Sequence, residues 1–460
     1  MTRRLAAALA ATALAGCSLA PNYQRPAAPV PPAFPQGQAY PSLTQGALPT
    51  VSYRDLFRDP RLQALIVQAF ANNRDLRVAA ANLAAARAQV RVTRSAQFPE
   101  VDANASATYN RGQGMNYALQ GGVSAFELDL FGRLANATAA QRELALASEA
   151  NARTVRIGLV ADLANAWIAY AADRDLMAIA QDTATNAAKA VDLTRLRLEG
   201  GIAPRTDLRQ AEQVLDTAQE DLAQQKAAVA QDENLIRLLV GASFDPALLP
   251  DGLASVDGEF VALAPGISSD VLLRRPDVDE AEHQLKAANA DIGVARAELF
   301  PRISLTGLLG LASSALSSLF TGGAFTATAG ANASYAIFDA GGRRANVVVS
   351  EAQRDAALAT YEKAIQTAFR EVADVLAVRG TIDDRLRAAH ANTVAAADTA
   401  QLTDQRYRGG IDTFLASLVA QRSLYAARRD EVTVRAAMLE NLVELYRAVG
   451  ADTFAGQAAG

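Results

Sequence analysis

Few side chains in this sequence are equipped for chemistry. Among 460 residues there is one cysteine, Cys17, and there are two histidines, His283 and His390. One thiol cannot build an internal disulfide framework or a Cys-ligated zinc site. Two histidines so far apart in sequence do not suggest a His-rich metal centre. What a single thiol can do is accept a covalent group. The other candidates are charged residues beside two glycine pairs. Arg205 and Asp207 follow Gly200-Gly201-Ile202, while Arg408 precedes and Asp412 and Thr413 follow Gly409-Gly410-Ile411. Repeated around a symmetry axis, such carboxylates form a ring that selects cations or closes an aperture through ion pairs. In a single chain they are favoured simply by the dipole of the helix that follows. There is no Gly-x-Ser-x-Gly elbow, metal motif or phosphate loop, so neither a cofactor nor an enzyme is expected. A net charge of −5 argues against a nucleic-acid partner.

The N-terminus gives the thiol its context. Residues 1–16 place Arg3 and Arg4 before a short apolar run, the pattern of a secretory signal peptide. The run falls short of the roughly 20 apolar residues that a spanning helix needs. Cys17 follows at once in Leu14-Ala15-Gly16-Cys17, which resembles the bacterial lipobox and implies lipidation of Cys17. Ser18 after it is compatible with sorting to the outer membrane. Residues 17–55 contain Pro21, Pro26, Pro29, Pro31, Pro32, Pro35, Pro41 and Pro49 and are expected to form an extended tether along the outside of the body.

These residues must be positioned by a chain that is written twice. Asp75–Pro99 and Asp277–Pro301 align without gaps, with ten of 25 positions identical, including Arg94/Arg296 and Phe98-Pro99/Phe300-Pro301. Gly200-Gly201-Ile202 matches Gly409-Gly410-Ile411, and Phe131-Gly132-Arg133 has a looser partner in Phe338–Arg343. The expected organisation is repeat 1 over 56–242, a Pro/Gly-rich linker over 243–269, repeat 2 over 270–450 and a tail over 451–460.

Each repeat predicts a helix, two strands, a very long helix, a turn and a helix. Leu62, Ala69, Leu76, Leu83 and Val90 recur every seven residues, as do Leu418, Tyr425, Val432, Leu439 and Tyr446. The long helices are expected from about Leu134 to Glu199 and from about Arg344 to Arg408, the second interrupted at Gly380. Between the helices the period switches to two. Val101–Asn110 and Phe325–Ile337 alternate apolar with Asn, Ser and Thr, while Ile303–Leu311 and Gly121–Phe131 supply two more strands. Strands of this length suit a bilayer. Four strands cannot close a barrel, and open edges are not tolerated in lipid, so spanning strands demand an oligomer. Two chains would give a filled barrel of eight strands; three would give twelve strands and a lumen.

The residues carry a family resemblance. Leu272-Leu273-Arg274-Arg275-Pro276-Asp277-Val278, then Ala281-Glu282, Ala287 to Gly293 and Phe300-Pro301-Arg302-Ile303, resemble the TolC-like outer-membrane factor family, in its NodT-type lipoprotein efflux branch. Glu127–Gly132 and Arg406-Tyr407 through Ala420-Gln421-Arg422 resemble further conserved stretches. The departure is Ala416–Val419, where relatives often carry an Asp. The resemblance implies a mainly α fold with a membrane β-barrel portion: a homotrimer in which four strands per chain make a 12-stranded barrel above a helical coiled-coil barrel. It implies an exit duct of a tripartite efflux pump, with a periplasmic adaptor and an inner-membrane RND-type transporter as partners. Gly200, Gly201, Ile202, Gly409, Gly410, Ile411 and Thr413 would then lie at the adaptor-facing tip, and Asp412, with Asp207, Arg205 and Arg408, at the aperture. The alternative transport reading is the channel of type I protein secretion. A non-channel coiled-coil lipoprotein is disfavoured by the duplicated alternating strand pair. Arg274 and Arg275 are expected to pair with a neighbouring chain, and Trp167 and Tyr170 to pack in a core.

Overall fold

A computed structural model describes residues 18–41, 52–112, 114–260 and 268–450. The signal peptide, Cys17 and the tail 451–460 lie outside the described residues. The elements are α1 (Tyr53–Leu56), α2 (Pro60–Asn72), α3 (Arg74–Ser95), β1 (Val101–Asn110), β2 (Gly114–Leu128), α4 (Arg133–Glu199), α5 (Arg205–Val240), α6 (Pro276–Ala297), β3 (Arg302–Ser313), β4 (Phe325–Ser334), α7 (Gly342–Arg408) and α8 (Phe414–Val449), with short 3-10 turns between α5 and α6. The fold is mainly helical with four strands. Lengths come in matched pairs: α4 and α7 each have 67 residues, and α5 and α8 each have 36. At about 1.5 Å per residue each long helix is roughly 100 Å long.

The described residues form two compact units, which cut across the two repeats: 18–28, 80–112, 114–151 and 277–364 contribute to the first, and 29–41, 52–79, 152–260, 268–276 and 365–450 to the second. The first holds the sheet. Its order is β1-β2-β3-β4, antiparallel throughout, so β1 and β4 are its edges. Beside it, Ala140 of α4 packs on Ala287 and Ala290 of α6, small residues that let helix backbones approach closely.

The second unit holds the larger core. Trp167, Ile168, Leu163, Leu62, Leu65, Ile66, Ile236 and Leu272 are all fully buried. Trp167 donates its indole N–H to the Leu248 carbonyl at 3.0 Å, and Phe57 packs edge-on against Phe260 and Tyr446. Trp167 and Tyr170 are thus packing residues, as expected. The most apolar stretch of α4 could span a membrane by composition, but two thirds of it (67%) is buried in the fold.

The structure corrects four local readings. The first heptad helix is broken at Asn73, whose backbone is extended. Its side chain accepts from the Leu76 amide and donates to the Leu239 carbonyl, so a tertiary contact ends α2 and starts α3. Strand β2 begins at Gly114, seven residues before the expected start, and β4 ends at Ser334. Helix α7 is continuous through Gly380, because that glycine makes room for the tether: a Cβ there would come within 2.3 Å of the Ala39 carbonyl oxygen. Finally, Arg275 does not need a neighbouring chain. It is buried and donates to the Ala448 carbonyl at 2.6 Å and to Glu371 at 2.7 Å within its own chain.

Candidate functional site

The sheet sorts its side chains by face. Register places Val101 opposite Val123, Ala105 opposite Leu119 and Tyr109 opposite Met115; Leu119 then meets Leu311, and Leu311 meets Phe325. The other face aligns Asn104 with Gln120, Thr108 with Asn116, Ser304 with Asn332 and Leu308 with Thr328. Because side chains alternate with period two, a slip of one residue would exchange the faces. A bulge in β2 prevents this. The register shifts between Val123 and Phe126, Ala125 takes a positive φ of 56°, and its amide donates to Thr306 Oγ1 at 3.2 Å. Phe126 and Leu128 therefore stay on the apolar face, opposite Leu305 and Ile303, and Glu127 stays on the polar one.

Each second strand hands over to a long helix through an aspartate. Asp129 accepts from the amides of Leu134 and Ala135 at 3.1 and 2.7 Å, and Asp339 from those of Gly341 and Arg343 at 2.9 and 3.1 Å. These are side-chain caps for otherwise unsatisfied N–H groups. At Asp339 the two amides and the Arg343 charge hold the carboxyl below the usual carboxylate range. Glu127 adds a bidentate pair to Arg133 at 2.8 and 2.7 Å, and Phe131 stacks on Phe300 with ring centroids 4.5 Å apart.

At the other ends of the long helices the two glycine turns share one geometry. Gly201 and Gly410 both have φ +72°, the left-handed conformation that favours glycine. Ile202 donates its amide to the Arg197 carbonyl at 2.8 Å, and Ile411 does the same to Arg406 at 2.9 Å. Both isoleucine side chains are exposed. The turns flank a single cluster, Val191, Leu208, Ala211, Tyr407, Phe414 and Leu418, drawn from α4, α5, α7 and α8. Thr413 caps α8 by accepting from the Ala416 amide at 3.2 Å. Asp207 lies in the first turn of α5, which Arg205 opens.

The structure thus brings the predicted turn residues to one end of one cluster, but pairs their charges differently from the sequence reading. Asp412 is held by Arg406, at 2.6 and 3.0 Å, and that guanidinium keeps its carboxyl below the usual range. Arg408 instead pairs with Asp404 at 2.9 Å. Sequence reasoning missed Arg406, although repeat alignment gives a signal. Its counterpart three residues before the first glycine pair is Arg197; where the second turn has Asp412 the first has Ala203, and Arg197 lies 4.9 Å over the Tyr407 ring instead.

Above the turns an open groove of about 1350 Å³ runs between the α4/α5 and α7/α8 ends, lined among others by Lys189, Gln213, Asp221, Arg422 and Tyr425. Across it the Tyr425 hydroxyl donates to Asp221 at 2.7 Å, with Arg429 at 3.5 Å. Burial, then the hydrogen bond to Asp221, pushes the Tyr425 pKa up to about 12. No cluster able to hold a metal ion occurs among the described residues.

A sheet with one apolar face and, among the described residues, two free edges, continued by paired long helices, defines a β-strand membrane protein with a helical extension. The chain belongs to the outer membrane efflux protein family, whose sequence profile matches residues 65–242 and 267–451. It is 42% identical over 461 residues to the antibiotic efflux pump outer membrane protein ArpC of Pseudomonas putida, covering 97% of this chain and 95% of ArpC. It is 36% identical to the cation efflux system protein CusC of Escherichia coli, covering 96% of this chain and 97% of CusC. The crystal structure of CusC superimposes with a TM-score of 0.84, covering 94% of this chain and 99% of CusC. The open-state structure of the Neisseria gonorrhoeae MtrE outer membrane channel is similar at TM-score 0.85 and 31% identity, covering 94% of this chain and 98% of MtrE. The chain is an outer-membrane efflux channel protein and not an enzyme.

Proposed function

We propose that this chain is the exit duct of a tripartite pump, exporting small molecules from a periplasmic adaptor and an RND-type transporter to the exterior. The observation that carries the reading is the four-stranded sheet with one apolar face and, among the described residues, unpaired edges at β1 and β4. In lipid those edges must be paired. Three copies supply twelve strands and a lumen, whereas two would leave a barrel filled by side chains. The polar Asn, Ser and Thr face then lines the duct, and the helices extend into the periplasm. The glycine turns, with Ile202 and Ile411 exposed, suit the adaptor contact. The relatives' names cover antibiotics and a cation, so the duct itself imposes little selection and the transporter chooses the cargo. Type I protein secretion has no observation in its favour beyond the shared architecture.

The same reading assigns residues 1–16 to a removed signal peptide and Cys17 to acylation, with 17–55 as its tether. Repeat 1 (56–242) and repeat 2 (270–450), joined by 243–269, each give two strands to the barrel. The test is reconstitution of purified full-length protein in planar bilayers, alongside crosslinking. Stable conductance from a species that crosslinks to three copies supports the reading. A folded monomer or dimer without conductance refutes it.

A further inference from the structure

The segment that follows Cys17 is seated in a site built from one face of α6. Glu282, Asn289, Gly293 and Arg296 recur at helical spacing along it. Asn289 donates to the Pro21 carbonyl at 2.7 Å, and Arg296 to the Leu19 carbonyl at 3.4 Å. A Pro-rich extended chain cannot satisfy those carbonyls itself. Glu282, 2% exposed, accepts from Arg25 through two bonds of 3.0 and 2.6 Å, from Tyr23 at 3.2 Å and from Lys286 at 3.0 Å. Burial alone would raise its pKa, but the bonds from Arg25 and Lys286 outweigh it and leave the carboxyl below its ordinary range. Gly293 is a notch: a Cβ there would stand 2.8 Å from the Ala20 amide nitrogen and 2.5 Å from the Asn136 side chain.

The upstream end of this strap lies at a definite place. Ser18 donates to Asn136 at 2.7 Å. Asn136 is in the first turn of α4, which is capped by Asp129 directly after β2. The strap therefore begins where the sheet ends. We infer that residues 18–25 are a register device: their seating on α6 fixes the spacing between the acylated Cys17 and the strand ends, so that the lipid anchor is held at one depth rather than on a loose leash. The inference rests on the proposed lipidation and outer-membrane reading.

The test uses full-length protein in outer-membrane vesicles. With Leu19→Cys as the only free thiol, a fluorophore there is quenched by lipids spin-labelled at graded depths. The native strap gives a single narrow depth. Gly293→Ala, or the milder Glu282→Gln, broadens the profile and speeds chymotryptic cleavage after Tyr23 about tenfold, because undocking exposes the strap. A native profile as broad as that of the variants overturns the inference, and so does unchanged cleavage in both variants. Radiolabelled palmitate incorporation with and without Cys17→Ser separates the two levels. Equal labelling sinks the lipid-anchor reading, whereas labelling that needs Cys17 together with a broad native profile sinks the strap inference alone.

Discussion

Asp412 and Arg406 form the one bidentate ion pair at the two glycine turns among the described residues. An exposed pair contributes little to global stability, so its effect belongs to the local conformation of the turn. If the pair holds the second turn at a closed aperture, Asp412→Ala and Arg406→Ala both raise ion conductance in planar bilayers, with trimer and melting temperature unchanged. A folded trimer with native conductance in both variants would sink the aperture role. A second prediction concerns Asp232. Burial, then the neighbouring Asp173 charge, pushes its pKa up to about 7. A raised carboxyl pKa means that the folded state keeps a proton that the unfolded state releases. Stability is therefore lost as pH rises from the ordinary carboxylate range toward about 7. Asp232→Asn, which cannot ionise, should melt higher than the native protein at pH 8, by an amount of order 1 kcal/mol since the site is half-solvated, and should match it near pH 4. Calorimetry at the two pH values checks the sign.

Elements were legible where their cause is local. Heptads gave the helices, two-residue alternation gave the strands, and the glycine pairs gave both turns. What the sequence hid were features whose causes lie far along the chain. Asn73 breaks a continuous heptad because its side chain bonds the Leu239 carbonyl. Gly380 looked like an interruption and is a seat for Ala39. The first half of β2 was missed because its alternation, Met115, Tyr117, Leu119, is thrown out of phase by the bulge at Ser124-Ala125. Of the candidate site, the turns were readable, but not Arg406, whose role shows only once the two turns are superimposed. The bulge itself is testable. Deleting Ala125 removes the extra residue, so that Val123 and Phe126 fall two apart, like Gly307 and Leu305 opposite them, and Phe126, Leu128 and Glu127 keep their faces without a bulge. An oligomer as SDS-resistant as the native one is expected on gels, and its loss would mean that assembly needs the bulge itself and not only the faces it preserves. Gly201→Val, by contrast, forces a β-branched residue into the left-handed region at a cost of about 1–2 kcal/mol. It should slow pump-dependent export in cells while leaving the barrel assembled.

At the scale of the molecule, everything turns on which face of the sheet meets lipid. The apolar face joins Ala105, Leu119, Leu311 and Phe325 in one row and Leu309 with Ala327 in the next, and Leu309 is 61% exposed in the single chain. That much apolar surface is stable only against lipid tails, so the Asn, Ser and Thr face must line water. Charged side chains lie mostly on the helices, and the four strands hold only Arg302, Asp102 and Glu127, which leaves them nearly neutral, as an array crossing hydrocarbon requires. Two arginine substitutions on neighbouring strands separate the faces. Leu309→Arg puts a guanidinium in lipid, at about 2–4 kcal/mol per chain near the midplane, and the cost is incurred in every copy. Thr328→Arg, one row away on the opposite face, meets water. The expected outcome is that Leu309→Arg abolishes the assembled oligomer, whereas Thr328→Arg assembles normally and lowers the cation preference of the pore in reversal-potential measurements. Tolerance of Leu309→Arg with loss of assembly in Thr328→Arg would invert the faces, and with them the assignment of the duct.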